Sequence, residues 1–435
     1  MSADCGSSEA PIKPTFAEAL TYWLRLGAIS FGGPAGQIAI MQHDLVDRLK
    51  WIRQNDFLHA LNFCMLLPGP EAQQLATYIG WRLHGLRGGL VAGILFVVPG
   101  AALLLALSWI AAAHGDVGWV AKIFSGLKPI VVTIIVGALW RTARRGLASR
   151  AAGAMALAAF AAVALIEIPF PIVVLAAALV GWIAGRSGHS AWFTAPTHGD
   201  PPAGPGDGES GPGLSRVIRI AAAYVVLIAV PTAVLMAVSD SMFFPSLAWL
   251  FTKAAFVTFG GAYAVLPYVA DAAVNDLMWL SAEDMMNGLA LAETTPGPLI
   301  LVLQYVGYFA GWNALSAQAA AGWSAPDLAL VAAAFTTYAT FLPSMCLILA
   351  GAPFIGRLSV MPAVSAALGA ITAAVVGVIG TLALFFAESA LVPGGHFDAV
   401  AATLSAVALL VHLRWKVAIH WLILAGAAAG LMGGV

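Results

Sequence analysis

The sequence predicts an all-α polytopic membrane protein built from two inverted-topology repeats, with broken, re-entrant helices near the bilayer midplane. Composition is the first ground. Of 435 residues, 61% are hydrophobic and 9% charged, and the mean hydropathy is +0.90; soluble domains are about 25% charged. A duplicated pair of helix breakers is the second. Pro68-Gly69-Pro70 returns as Pro296-Gly297-Pro298, and Phe31-Gly32-Gly33 as Phe259-Gly260-Gly261, with the same offset in both pairs. The third is that Lys and Arg crowd into an alternating set of loops, as the positive-inside rule requires of a polytopic chain.

Taken in order, Met1 to Lys13 is polar and lacks the basic-then-apolar order of a signal peptide, so the chain is expected to enter the bilayer through its own apolar segments. Residues 16–41 form an apolar segment broken at Gly32-Gly33-Pro34-Ala35-Gly36, and 42–56 a charged loop. Residues 57–81 are apolar again and broken at Pro68-Gly69-Pro70. Spans follow near 89–113, 117–140, 148–166 and 169–185, completing an N-terminal repeat, 1–185. The stretch 186–216, rich in Pro, Gly, Ser and Asp, can form neither core nor span and reads as a flexible cytoplasmic linker.

The C-terminal repeat, 217–435, opens with an additional span near 217–238. Broken segments then recur at 244–270 and 284–311, with spans near 327–350, 363–388, 398–412 and 416–434. At the offset of the motifs Phe16 meets Phe244, Arg25 meets Lys253, Trp51 meets Trp279 and Asp56 meets Asp284, which is a duplication signal. Beyond Pro298 the register slips, and Pro99 pairs with Pro343.

Loop charge sets the orientation. Loops carrying Arg48/Lys50/Arg53, Arg82/Arg87, Arg141/Arg144/Arg145/Arg150, Arg186/Arg216 and Arg414/Lys416 belong to the cytoplasm. Those at 114–116, 276–284, 312–326 and 388–398 hold no Lys or Arg and belong outside. Every loop is satisfied if 16–41 and 57–81 dip in from the cytoplasm while 244–270 and 284–311 dip in from outside.

A Pro-Gly-Pro break facing hydrocarbon would strand backbone N–H and C=O groups, so it belongs where those groups line a cavity or meet a ligand. Half-helix N-termini at mid-membrane attract anions, and inverted repeats with discontinuous helices are a recurring transporter design. Candidate substrate-binding residues are therefore Gly32, Gly33, Pro68, Gly69, Pro70, Gly260, Gly261, Thr295, Pro296, Gly297 and Pro298. Arg25 lies seven residues before Gly32, on the same face of a continuing helix, with Lys253 in the matching place. Two such cations suit a divalent oxyanion; the alternative is that they snorkel to the headgroups. Gln74, with Gln73, Thr294, Thr295 and Gln304, could donate to oxyanion oxygens or bond between packed helices. Glu293 and Glu71 are the proton-coupling candidates. A carboxylate is disfavoured at the end of a half-helix, where Glu293 stands, whereas Glu71 at a helix start complements the dipole.

Other chemistries find little support. No basic patch speaks for nucleic acid. Cys5, Cys64 and Cys346 are far apart, and the nine histidines form no HExxH pair, so no metal or other cofactor is expected. No nucleophile–base–acid set marks an enzyme. A homodimer is one assembly the sequence leaves open.

Phe31-Gly32-Gly33-Pro34, the run from Leu67-Pro68-Gly69-Pro70-Glu71 to Gly80-Trp81, and Gly88-Gly89-Leu90 through Pro99-Gly100 resemble the chromate ion transporter (CHR) superfamily. Phe259-Gly260-Gly261-Ala262-Tyr263 and Thr294-Thr295-Pro296-Gly297-Pro298 resemble its C-terminal domain. The likeness covers both halves, as in a long, two-domain member, with Ala262 where the first copy has Pro34. It implies a multi-pass protein of the inner or plasma membrane that exports chromate and confers chromate resistance, by proton coupling or sulfate exchange. A transporter of sulfate or another oxyanion, and a passive anion channel, are alternatives equally compatible with these residues. Both chromate and sulfate are tetrahedral dianions, and no residue separates them.

Overall fold

Helix length divides the chain into two kinds of element. The computed structural model describes residues 11–31, 33–193, 214–239, 241–315, 322–351 and 361–433, and among these no strand occurs. Gly32 and the greater part of the expected linker, 194–213, lie outside the described residues. In the first half α1 (Phe16–Ile29), α2 (Gly33–Gln42) and α3 (Gln54–Cys64) precede α4 (Glu71–His114), α5 (Gly118–Gly146), α6 (Arg150–Ala164) and α7 (Phe170–Arg186). After α8 (Leu214–Ser239) come α9 (Phe243–Val257), α10 (Ala262–Asp271), α11 (Ala282–Thr294) and α12 (Val302–Asn313). Then follow α13 (Ala325–Gly351), α14 (Pro362–Leu391), α15 (Ala399–Trp415) and α16 (Ile419–Leu431).

Crossing a bilayer core takes about 20 helical residues. Among the described residues α4, α5, α8, α13 and α14 are long and apolar enough to do so, which makes this a multi-pass membrane protein. The helices beside the four glycine breaks are half that scale: α2 and α10 have 10 residues each, α3 has 11 and α12 has 12. Within α4 the backbone leaves helical geometry at His84 and Gly85, where Gly85 takes φ +63°. That kink separates the two segments expected at 57–81 and 89–113.

The duplication reaches the backbone. Each copy turns from α- to π-helix at the same place, over His43–Arg48 and Ala272–Asp276, a rare local structure. Each then closes with a Trp N–H on a carbonyl, Trp51 to Leu45 and Trp279 to Ala273, both at 2.8 Å. Lys50 and Met278 hold matching left-handed φ values of 53° and 50°.

Packing interlocks the halves. The first half's α6 and α7 lie on α14, while the second half's α15 and α16 lie on α5. Small residues permit the approach: Gly181 and Gly185 of α7 meet the backbone of Ala366 and Ala363, and Gly126 meets Gly426 and Gly430. Thr133 donates to the Ser405 carbonyl and Ser405 to the Pro129 carbonyl, each at 3.0 Å, tying α5 to α15 twice. By contrast α8 packs on α9 and α13 and leaves its apolar window unburied, as a lipid-facing helix does.

Candidate functional site

Each Pro-Gly-Pro turn is hydrogen-bonded to the helix end before the other half's glycine motif. Gly69 N–H donates to the Thr258 carbonyl at 2.7 Å, and Gly297 N–H donates to the Ser30 carbonyl at 2.8 Å. These are equivalent pairs with the halves exchanged, the self-complementary pattern of a two-fold contact. Both acceptors belong to the other motif, where α1 and α9 end. Ser30 and Thr258 are fully buried, and each hydroxyl bonds back to its own helix, on Leu26 at 2.5 Å and Ala254 at 2.6 Å. Glycine is required at both turns: Gly69 takes φ +127° and Gly297 φ +92°, where L side chains are strained. Gly33, Gly260 and Gly261 also have positive φ.

From these turns three half-helices begin without a side-chain cap, behind Pro70, Gly261 and Pro298. Their first N–H groups carry the partial positive charge of the dipole. Buried amides brace the turns. Gln37 donates to the Gly297 carbonyl at 2.6 Å and Gln74 to the Pro68 carbonyl at 2.7 Å; the Oε1 of each amide has no partner among the described residues. Gln73 accepts from Ser344 at 2.9 Å, and Gln304 donates to the Ala101 carbonyl at 2.8 Å. Thr294 and Thr295 bond back to Leu291 and Ala292. The polar residues expected as ligand donors thus hold helices together in this state. Gln37 was not foreseen, since a lone Gln in an apolar stretch carries no motif. Replacing Gln37 by Ala leaves the buried Gly297 carbonyl without its side-chain donor and is expected to cost about 1–3 kcal/mol. A thermal melt of the purified variant checks this, and an unchanged midpoint discards the brace.

The cations depart from expectation. Arg25 is exposed on α1. Its expected alignment with the break needed a helix continuing to Gly32, but α1 stops at Ile29 and Ser30 turns away at ψ 80°. Lys253 is half-buried, its ammonium 4.8 Å from the Trp249 ring centre and 5.7 Å from that of Tyr268, a cation–π seat. Among the described residues no hydrogen bond or ion pair joins either cation to a Pro-Gly-Pro turn. Snorkelling or ring capture describes them better than a shared pocket.

A carboxylate flanks each Pro-Gly-Pro turn. Glu293 is half-buried in the last turn of α11, and its carboxylate accepts a hydrogen bond from the Tyr263 hydroxyl. Arg141, exposed on α5, lies within electrostatic reach of Glu293 and Tyr263. Glu71, half-buried in the first turn of α4, faces the charge of Arg145. Loop charge alone places both arginines at the cytoplasmic face; their four-residue spacing, which puts both on one helix face, is the sequence signal that they act together. Further out, Lys13 and Arg82 share a cavity of about 320 Å³ with Trp51 and Asp56, and Arg82 pairs with Asp56 at 3.5 Å. Among the described residues no cluster of three metal-ligating side chains occurs.

Comparison with known proteins adds to this geometry. The profile of the chromate transporter family matches residues 17–182 and 245–431. A chromate transport protein of Cupriavidus metallidurans is 28% identical over 414 residues, covering 95% of this chain and 92% of the relative. One from Pseudomonas aeruginosa is 32% identical over 313 residues, 71% of this chain and 70% of the relative. A probable chromate transport protein of Synechococcus elongatus is 26% identical over 360 residues, 82% and 81%. No solved structure matches the chain.

Proposed function

The chain belongs to the chromate transporter family, and on that premise we propose that it is a secondary transporter of the plasma membrane that exports chromate from the cytoplasm. The observation that carries the mechanism is the exchanged pair of bonds, Gly69 to Thr258 and Gly297 to Ser30. Each break is bolted to the end of the matching half-helix in the other repeat. Loosening one bond and tightening the other would open the centre to alternate sides, as rocking of repeats does in alternating access. The oxyanion sits among the N–H groups that start at the turns 68–70, 260–261 and 295–298, where half-helix dipoles favour negative charge. Glu71 and Glu293 are the carboxylates that could tie this movement to protons.

Chromate flux into everted vesicles tests the reading. Saturable uptake that opposing sulfate accelerates is the expected outcome and also reveals exchange. Flux rising linearly with concentration marks a channel, and sulfate flux without chromate flux makes sulfate the substrate. The inverted arrangement has its own test. Single cysteines at Arg53 and at Asp276, in a background lacking Cys5, Cys64 and Cys346, are expected to react with a membrane-impermeant maleimide from opposite sides. Labelling of both from one side refutes inversion.

A further inference from the structure

We propose that Arg141 is the cation that receives the transported oxyanion and that Glu293 is its resting counter-ion, so that loading a dianion moves Glu293 from carboxylate to carboxylic acid. The inference rests on the oxyanion-transport reading above and gives it a charge-balancing step.

Arg141 is built into place rather than left on a loop. Its Nη1 lies 3.0 Å from Nε2 of His412, while Nδ1 of the same ring lies 2.9 Å from the Val417 carbonyl. A carbonyl can only accept, so Nδ1 carries the proton; a guanidinium can only donate, so Nε2 presents its lone pair. His412 therefore holds Arg141 as a neutral ring, adding no competing charge. Gly137, one turn earlier on α5, leaves room for this pairing: a Cβ there would stand 3.3 Å from the His412 ring and 3.4 Å from Arg141 Nη1. Among the described residues this is the one hydrogen bond of the guanidinium, which has five N–H groups to offer an anion.

The opposing groups come from different elements. Tyr263 of α10 donates to Glu293 of α11, and Arg141 lies within electrostatic reach of both. At the other end of α11, Lys128 of α5 pairs with Glu283 at 2.8 Å. Arg141 lies about 20 Å beyond Lys128 along α5, at 1.5 Å per residue. The Lys128–Glu283 pair fixes α5 beside α11, and Arg141 and Glu293 lie toward the same ends of the two helices. From α4 the nearby acid is Glu71, which faces Arg145 and so has its own partner.

A dianion at Arg141 takes over the guanidinium and sets a negative charge beside Glu293, which has only the Tyr263 hydroxyl left. A negative charge set beside a carboxylate favours its protonated form. Glu293 then takes one proton from water, forming one O–H bond, while Tyr263 keeps its own proton. Each dianion carried moves with one proton, and the net charge of the loaded site changes by one unit rather than two. Arg141 is the binding residue, Glu293 the coupling residue, and His412 a positioning residue.

The test uses purified full-length protein in weakly buffered solution, alkaline enough that chromate is the dianion. Chromate binding and proton uptake are measured together. Wild type is expected to bind chromate with uptake of roughly one proton per site, Glu293→Gln to bind without uptake, and Arg141→Gln to bind at least tenfold more weakly. Arg141→Lys, which restores charge without the fork, is expected to recover part of the affinity and so to exclude misfolding as the cause. Unchanged affinity in Arg141→Gln, or undiminished proton uptake in Glu293→Gln, overturns the inference while the transporter reading stands. A wild type that binds neither chromate nor sulfate overturns that reading and this inference with it.

Discussion

Replacing Gly69 by alanine is expected to lower chromate flux by more than tenfold while the protein still reaches the membrane. At φ +127° a side chain carries a backbone penalty of about 1–3 kcal/mol. The new Cβ would also stand 2.7 Å from the Gln74 amide and 3.0 Å from Ser344 Oγ. Both neighbours are committed, Gln74 to the Pro68 carbonyl and Ser344 to Gln73, so neither gives way without breaking a buried bond. The strain falls on the turn whose N–H reaches Thr258, and therefore on the link between repeats. Gly85→Ala separates the two contributions. Gly85 also has positive φ, at 63°, but a Cβ there meets nothing within 4 Å, so that variant carries conformational strain alone. Vesicle flux normalised to protein content is the measurement. If Gly69→Ala transports within twofold of wild type, the turn is not part of the moving link.

Gly430→Leu is expected to destabilise the fold itself. A Cβ at Gly430 would overlap the Lys122 carbonyl and crowd the backbone of Gly126. Gly426 and Gly430, four residues apart, form the flat face on which α16 meets α5, the small-residue seam by which membrane helices approach closely. Overpacking costs typically about 1–3 kcal/mol, and backbone atoms cannot rotate away as side chains do. Thermal unfolding in detergent should begin several degrees lower, with α16 the first element to become accessible to protease. Gly153→Ala is the control: a Cβ there meets nothing within 4 Å, and alanine is the better helix former by about 1 kcal/mol. An unaltered melt for Gly430→Leu would mean that α16 is not seated on α5 as described.

Much of the architecture was legible because its signals are local. A Pro-Gly-Pro in an apolar run has no helical solution, so the break at 68–70 follows from residue chemistry. Glu71 and Glu293 likewise fell at a helix start and a helix end because those positions are counted from the break. The duplication was legible from side chains. Its π-helical turns at His43–Arg48 and Ala272–Asp276 were not, since no residue type encodes a shift of hydrogen-bond register. The misplacement of Arg25 has an equally specific cause. Helical phase was extended through Ser30, and one residue with ψ 80° is enough to lose the face.

By itself, then, the sequence determined the solvent this protein lives in, the number and place of its breaks, its two-copy plan and the family it resembles, because composition, Gly and Pro act where they stand. Tertiary structure decided which groups meet. The exchange of Gly69 and Gly297 between Thr258 and Ser30, the seating of α16 on α5, and the pairing of Arg141 with His412 all join residues far apart in the chain. Such pairings are chosen by packing and by the need to satisfy buried polar groups away from water, and no local signal announces them.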